Sequence, residues 1–147
     1  MKSRNLFLAS ITTLLILNSC SKNDQSTNSK GFAGSYRGTV SDTIDGVYLQ
    51  TLNDYTIVIN QTNTLGQVTL TNNIIITNTG NISGLNFSIP QTIASETPSL
   101  NVIESASGVF TGTNNNTWKV TFYQDLIDPS NGSFKQRLKR ACILVKQ

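Results

Sequence analysis

From Gly31 onward, apolar residues recur at every second position rather than at the helical spacing of three and four, and Thr, Ser, Asn, Ile and Val dominate. A period of two is that of a strand with one face in a core and one in water. The first such stretch places Phe32, Gly34, Tyr36, Gly38 and Val40 on one face, and the next alternates Tyr55, Ile57 and Ile59 with Thr56, Val58 and Asn60. Further strands are expected at Gln67–Leu70 and Asn73–Asn78. Leu85, Phe87 and Ile89 then oppose Asn86 and Ser88, and Pro90, which has no backbone donor, is expected to close that strand.

Gln91–Ser99, with Pro98 and several small polar residues, reads as the longest loop. Strand pattern resumes near Leu100, where Gly108 and Gly112 allow a sharp bend, and Asn114-Asn115-Asn116 reads as a turn because Asn tolerates left-handed backbone. The clearest alternation follows: Trp118, Val120, Phe122, Gln124 and Leu126 face one way, Lys119, Thr121, Tyr123 and Asp125 the other. A turn at Pro129–Gly132 returns the chain as a last strand from Phe134 to Val145. Short strands joined by tight turns predict an all-β domain, a sandwich or an up-and-down barrel. A barrel leaves no open edge to aggregate.

The first 30 residues break this pattern. Lys2 and Arg4 precede a mostly apolar run, Leu6–Leu17, long enough for the core of a secretory signal and short of the ~20 residues that span a bilayer. The ending Leu17-Asn18-Ser19-Cys20 resembles a bacterial lipoprotein signal. That resemblance implies that residues 1–19 are removed and that Cys20 becomes an N-terminus acylated on its sulfur and amine. Each buried methylene contributes about 0.8 kcal/mol, so several chains anchor a protein almost permanently. Residues 20–30 are polar and aperiodic and read as a flexible tether. Ser21-Lys22-Asn23-Asp24 loosely resembles the short charged signals of Bacteroidetes surface lipoproteins, which leaves the periplasmic face and the cell surface both open.

Charge narrows the function classes. The chain is formally +3, from 11 cations and 8 acids, but Lys2 and Arg4 leave with the signal, so the remaining domain is near +1. Basicity is therefore no argument for nucleic acid, and aromatics are not interleaved with a basic stripe. If Cys20 is acylated, Cys142 has no intramolecular partner and reads as a small buried hydrophobe. The chain contains no histidine, which removes the usual general base and most zinc sites, and no Gly-rich phosphate loop is present. Two-carboxylate chemistry needs only an acid and a base. By parity, however, most of Asp24, Asp42, Asp45, Asp54, Glu96, Glu104, Asp125 and Asp128 fall in turns or on outward faces. No enzymatic activity, cofactor or metal is expected.

The order of Gly34-Ser-Tyr36-Arg-Gly38, Ile82-Ser-Gly-Leu-Asn-Phe-Ser-Ile-Pro90-Gln91, Ser107-Gly108 and Cys142 in the last strand resembles small lipocalin-like lipoproteins of the Bacteroidetes. The resemblance covers residues 31–147 and implies an antiparallel calycin-type barrel of about eight strands. Lipocalins open with a Gly-x-Trp ring covered by an Arg or Lys. Tyr36 stands in the place of that ring, and Arg140 is the candidate cover, either a barrel plug or a cation facing a ligand's carboxylate or phosphate. Tyr55, Phe87, Phe110, Trp118 and Phe122 are the candidate ligand-lining set, within an inward face that also takes Ile57, Leu85, Val120 and Leu126. An interior of this size is either self-filled or holds one small ligand.

Lys135, Arg137 and Lys139 form an outward row, either a solvated edge or a contact for anionic head groups or an acidic glycan. Asp42-Thr43-Ile44 resembles an acceptor for O-linked glycans and would put Thr43 in an exposed loop. The expectation is an outer-membrane lipoprotein, tethered through its lipid, that binds a small apolar or amphipathic molecule. The alternative is a packed barrel that meets a protein partner at the cell envelope.

Overall fold

The computed structural model describes residues 31–72 and 75–147. Cys20, the signal over 1–19 and the tether over 20–30 lie outside them. Eight strands follow in chain order: β1 (Gly34–Ile44), β2 (Val47–Gln61), β3 (Gln67–Thr71), β4 (Thr79–Ser83), β5 (Asn86–Thr97), β6 (Leu100–Thr111), β7 (Thr117–Ile127) and β8 (Phe134–Lys146). Each pairs antiparallel with the next, and β8 pairs with β1, closing an up-and-down barrel. The alternation, which left a sandwich or an up-and-down barrel open, resolves as the barrel, with the about eight antiparallel strands that the resemblance implies.

The wall is unequal in height. β3 and β4 have five residues each. β3 reaches β2 over Val58–Gln61, and β4 reaches β5 over Asn86–Ser88. All eight strands therefore meet at one end, the closed end, where β1 begins. At the other end, the open end, β2, β1, β8, β7, β6 and β5 continue without them.

The core lies in the closed end because that is where inward positions are apolar. Tyr36, Ile57, Ile59, Val68, Phe87, Phe110, Trp118, Phe122 and Leu144 are each at most 1% exposed. Two glycines allow the close approach of strands. A side chain at Gly38 would overlap the Ile143 carbonyl of β8, and one at Gly80 would overlap the Phe87 ring. Asn114 and Asn115, each with positive φ, make the turn before β7 as their residue type suggests.

Four expectations fail. Pro90 does not close a strand: β5 runs through it to Thr97, and Gln91–Ser99 is not a loop, because only Pro98 and Ser99 separate β5 from β6. Pro90 is tolerated because it sits at a bulge, between Ile89 and Thr92, on the stretch of β5 that β4 does not reach. The expected strand at Asn73–Asn78 is displaced, with β4 starting at Thr79 and the described residues 75–78 forming an irregular link. Leu85 is 46% exposed at the turn before β5 rather than inward.

Candidate functional site

The candidate ligand-lining residues form one cluster, and they fill it themselves. Phe110 stacks on Trp118 with centroids 5.5 Å apart and planes 11° apart. Phe87 meets the same indole edge-on at 4.9 Å, Phe122 at 6.2 Å and Tyr36 at 5.7 Å. Phe32 closes the cluster against Phe110 at 4.5 Å. Tyr55 is half-buried and packs against its margin. Offset and edge-to-face pairs of this kind add about 0.5–1.5 kcal/mol each beyond burial.

The Tyr36–Arg140 plug is not formed. Tyr36 pairs across β1/β8 with Lys146 and Arg140 pairs with Asp42, six residues further along β1, about 20 Å at strand rise. The cation over the Tyr36 ring is Lys146, whose Nζ is 5.9 Å from the centroid and donates to the Gly31 carbonyl at 3.1 Å. The Tyr36 hydroxyl donates to the Phe32 carbonyl at 2.9 Å. The gap between Tyr36 and Arg140 comes from register: strand spacing shows which face a residue takes and leaves its height along the partner strand open.

Arg140 belongs instead to a polar row across the floor of the open end. The Gln50 amide donates to Asp42 Oδ2 at 3.0 Å, Arg140 Nε lies 3.4 Å from Asp42 Oδ1, and Arg140 Nη1 donates to Gln124 Oε1 at 3.4 Å. The Gln124 amide in turn donates to Glu104, which also accepts the backbone N–H of Ile76 at 2.8 Å and that of Thr77. Asp42 and Glu104 are each 2% exposed. They depart from the expectation that most of the acids lie in turns or on outward faces. The correction was available in the same alternation, since Asp42 shares the face of Tyr36 and Val40, and Glu104 that of Ala106 and Phe110. Glu104 thus holds the backbone of Ile76 and Thr77 ahead of β4, and Ile75 beside them packs on the core.

Two groups, Cys142 beside this row and Tyr36 at the closed end, are held protonated. Burial, followed by the Asp42 charge, pushes the Cys142 thiol from 9.0 to about 12, and burial pushes the Tyr36 hydroxyl from 10.0 to about 12. Cys142 is thus a buried, unpaired cysteine. In the unfolded chain both groups lose their protons at lower pH than in the folded one, so the stability they contribute is full below about pH 9 and is lost as pH rises towards 12. The urea midpoint is expected to fall across that window, and Cys142 should resist maleimide at neutral pH until the protein is unfolded.

The outward row of Lys135, Arg137 and Lys139 is exposed, but two of its cations are engaged. Arg137 donates to both oxygens of Asp125 at 2.6 and 2.7 Å, and Lys135 lies 3.1 Å from Asp128. Asp128 is drawn down to about 2, first by the Ser130 hydroxyl and N–H, then by Lys135. This pairing favours the solvated edge. Thr43 is not in a loop: it lies half-buried within β1, paired with Tyr48 and Lys139.

The open end carries a feature that the alternation did not reveal. The β1–β2 turn is tied to β8, with Asp45 N donating to the Arg137 carbonyl at 2.9 Å and Arg137 N to Asp45 Oδ1 at 2.8 Å. Beside it lies a shallow cleft of about 440 Å³ lined by Asp45, Gly46, Phe134 and Arg137. Phe134 is 53% exposed there, with the Arg137 guanidinium 5.9 Å from its ring. At the same end Val47, Tyr48 and Leu49 are 54–71% exposed. A second cleft, of about 230 Å³, opens where the β4 pairing with β5 ends before Pro90, between Gln67, Thr79, Asn81, Pro90 and Thr92.

No protein-family model, no curated protein and no solved structure matches the chain.

Proposed function

We propose that this chain is a protein-interaction module of the cell envelope, held to the outer membrane through lipidated Cys20 and the 20–30 tether, and that it works through the open end of a self-filled barrel. The observation that carries this reading is the division of apolar surface. The interior aromatics are spent on one another, while Phe134 stands in solvent at a shallow cleft. A shallow apolar cleft with a polar rim suits a side chain from another protein better than an enclosed small molecule.

The tether enters at the closed end, where β1 begins, and the ten steps of β1 carry the chain about 33 Å to the cleft. The surface on offer therefore lies at the far end of the domain from its attachment. The test is a photo-crosslinker at Gly46 in intact cells. One defined envelope protein is expected to be captured, and to be lost with Phe134→Asp but kept with Leu85→Asp, which alters an exposed leucine at the opposite end. Equal capture by Phe134→Asp would remove this reading.

A small amphipathic ligand is the second reading, and the position of Arg140 favours it. Its side chain is 21% exposed on the floor of the open end, where a guanidinium can meet a carboxylate or phosphate head. Native mass spectrometry after exposure to envelope lipid extract should then show an adduct that Arg140→Met weakens. A clean mass in both proteins would discard it.

A further inference from the structure

We infer that the free edge of β2 pairs with the same edge of a second copy, so that two domains share one continuous antiparallel sheet. This goes beyond the proposed partner surface at Phe134 and stands or falls separately from it.

The stretch of β2 next to the β1–β2 turn is in a condition that monomeric sheets avoid. From Val47 to Asp54 it pairs with β1 on one side, and β3 does not reach the other side until Val58. In an antiparallel strand alternate N–H and C=O groups point to each side, so among the described residues this edge presents donors and acceptors with no strand beside them. Every residue from Asp45 to Asp54 is also exposed, on both faces of the strand. Val47, Tyr48, Leu49 and Leu52 are 71%, 63%, 54% and 37% exposed, although residue type alone would send them to a core.

The molecule has a second open edge for comparison, and it is protected. On β5, beyond the reach of β4, stand Pro90, a bulge between Ile89 and Thr92, another between Ile93 and Ser95, and Glu96. Proline, bulges and charge are the devices that stop edge-to-edge pairing. Val47-Tyr48-Leu49-Gln50-Thr51-Leu52-Asn53 has no proline and no charge; what it shares with the β5 edge is bulges, one at Leu49 and one at Asn53–Asp54, where Asp54 has φ 60°.

The occupant follows from symmetry and charge. Two copies of one edge related by a twofold axis run antiparallel, and each residue meets its counterpart set in reverse order. A charged edge would oppose like charge to like across that axis, whereas an edge uncharged from Val47 to Asn53 carries no such penalty. Pairing covers Val47, Leu49 and Leu52 with the reversed stretch of the second copy and satisfies the backbone that β3 leaves open.

The test uses the full chain in intact cells with Leu49→Cys and a short bis-maleimide, since a pairing centred at Gln50 sets the two Leu49 positions diagonal to each other, about 7–8 Å apart. The expected product is a band at twice the chain's mass, reduced roughly tenfold by Thr51→Lys, as a loss of about 1.4 kcal/mol would give. Gln91→Cys on the protected β5 edge should give no such band. A doubled band insensitive to Thr51→Lys, a yield no greater than that of Gln91→Cys, or a product of any other mass would overturn the inference. Capture through Gly46 does not depend on this outcome.

Discussion

Trp118→Ala is expected to cost about 3–5 kcal/mol of stability, the range for removing a buried aromatic that its surroundings cannot collapse to fill. The indole is 0% exposed and touches Tyr36, Phe87, Phe110 and Phe122, rings held by four different strands. Those strands are themselves locked into a closed ring, so their backbones cannot move inward. A domain of this size has about 5–15 kcal/mol in total, so the variant should be partly unfolded or shifted far down in urea midpoint. The measurement separates two roles for the cluster. Rings that line a binding cavity could be truncated with little loss of stability and a loss of ligand, whereas rings that are the core cannot. A midpoint within about 1 kcal/mol of the native protein would show that the cluster is not the core.

Glu104→Ala has the second largest expected effect, by a different mechanism. It leaves the N–H groups of Ile76 and Thr77 and the amide of Gln124 without their acceptor. Stranding a buried donor costs about 1–3 kcal/mol, so the loss should be at least about 3 kcal/mol if the link stays in place. If the link instead swings into water, the donors are satisfied there. The stability loss is then smaller, and hydrogen exchange at Ile76 and Thr77 rises sharply. Glu104→Gln keeps an acceptor oxygen but sets an amide N–H₂ against these donors, and should fall between. Native stability together with unchanged exchange in Glu104→Ala would refute the role assigned to this carboxylate.

Much of the fold could be read from alternation, because an up-and-down barrel with an apolar interior writes its inside and outside along each strand. β7 and β8 appear in the sequence almost to the residue, and β1 by its face but not its length. β5 was cut short because Pro90 is a strand breaker in any paired setting, and nothing local shows that β4 ends before reaching it. Asp42 and Glu104 had the right parity and the wrong polarity. Their burial depends on partners from β2, β7, β8 and the β3–β4 link that meet only in three dimensions. Arg140 was correctly placed on the inner face of β8 and given the wrong partner, since face is a property of one strand and height a property of two. The exposed apolar run of β2 ran the other way. Val47, Tyr48 and Leu49 look like core residues, and only the shortness of β3 reveals that no core is beside them.

The pairing of β8 with β1 has a kinetic meaning as well. Nine residue pairs, from Tyr36 with Lys146 to Ile44 with Leu138, join segments about a hundred positions apart. Every other ladder in the barrel is between neighbours in the chain and can form as a local hairpin within microseconds. The last seam has to close the longest loop the domain contains before it gains anything, and topologies dominated by such contacts fold slowly. Until it zips, the β1 and β8 edges are both bare, so the interval between making seven hairpins and sealing the eighth seam is when this protein is most exposed to aggregation.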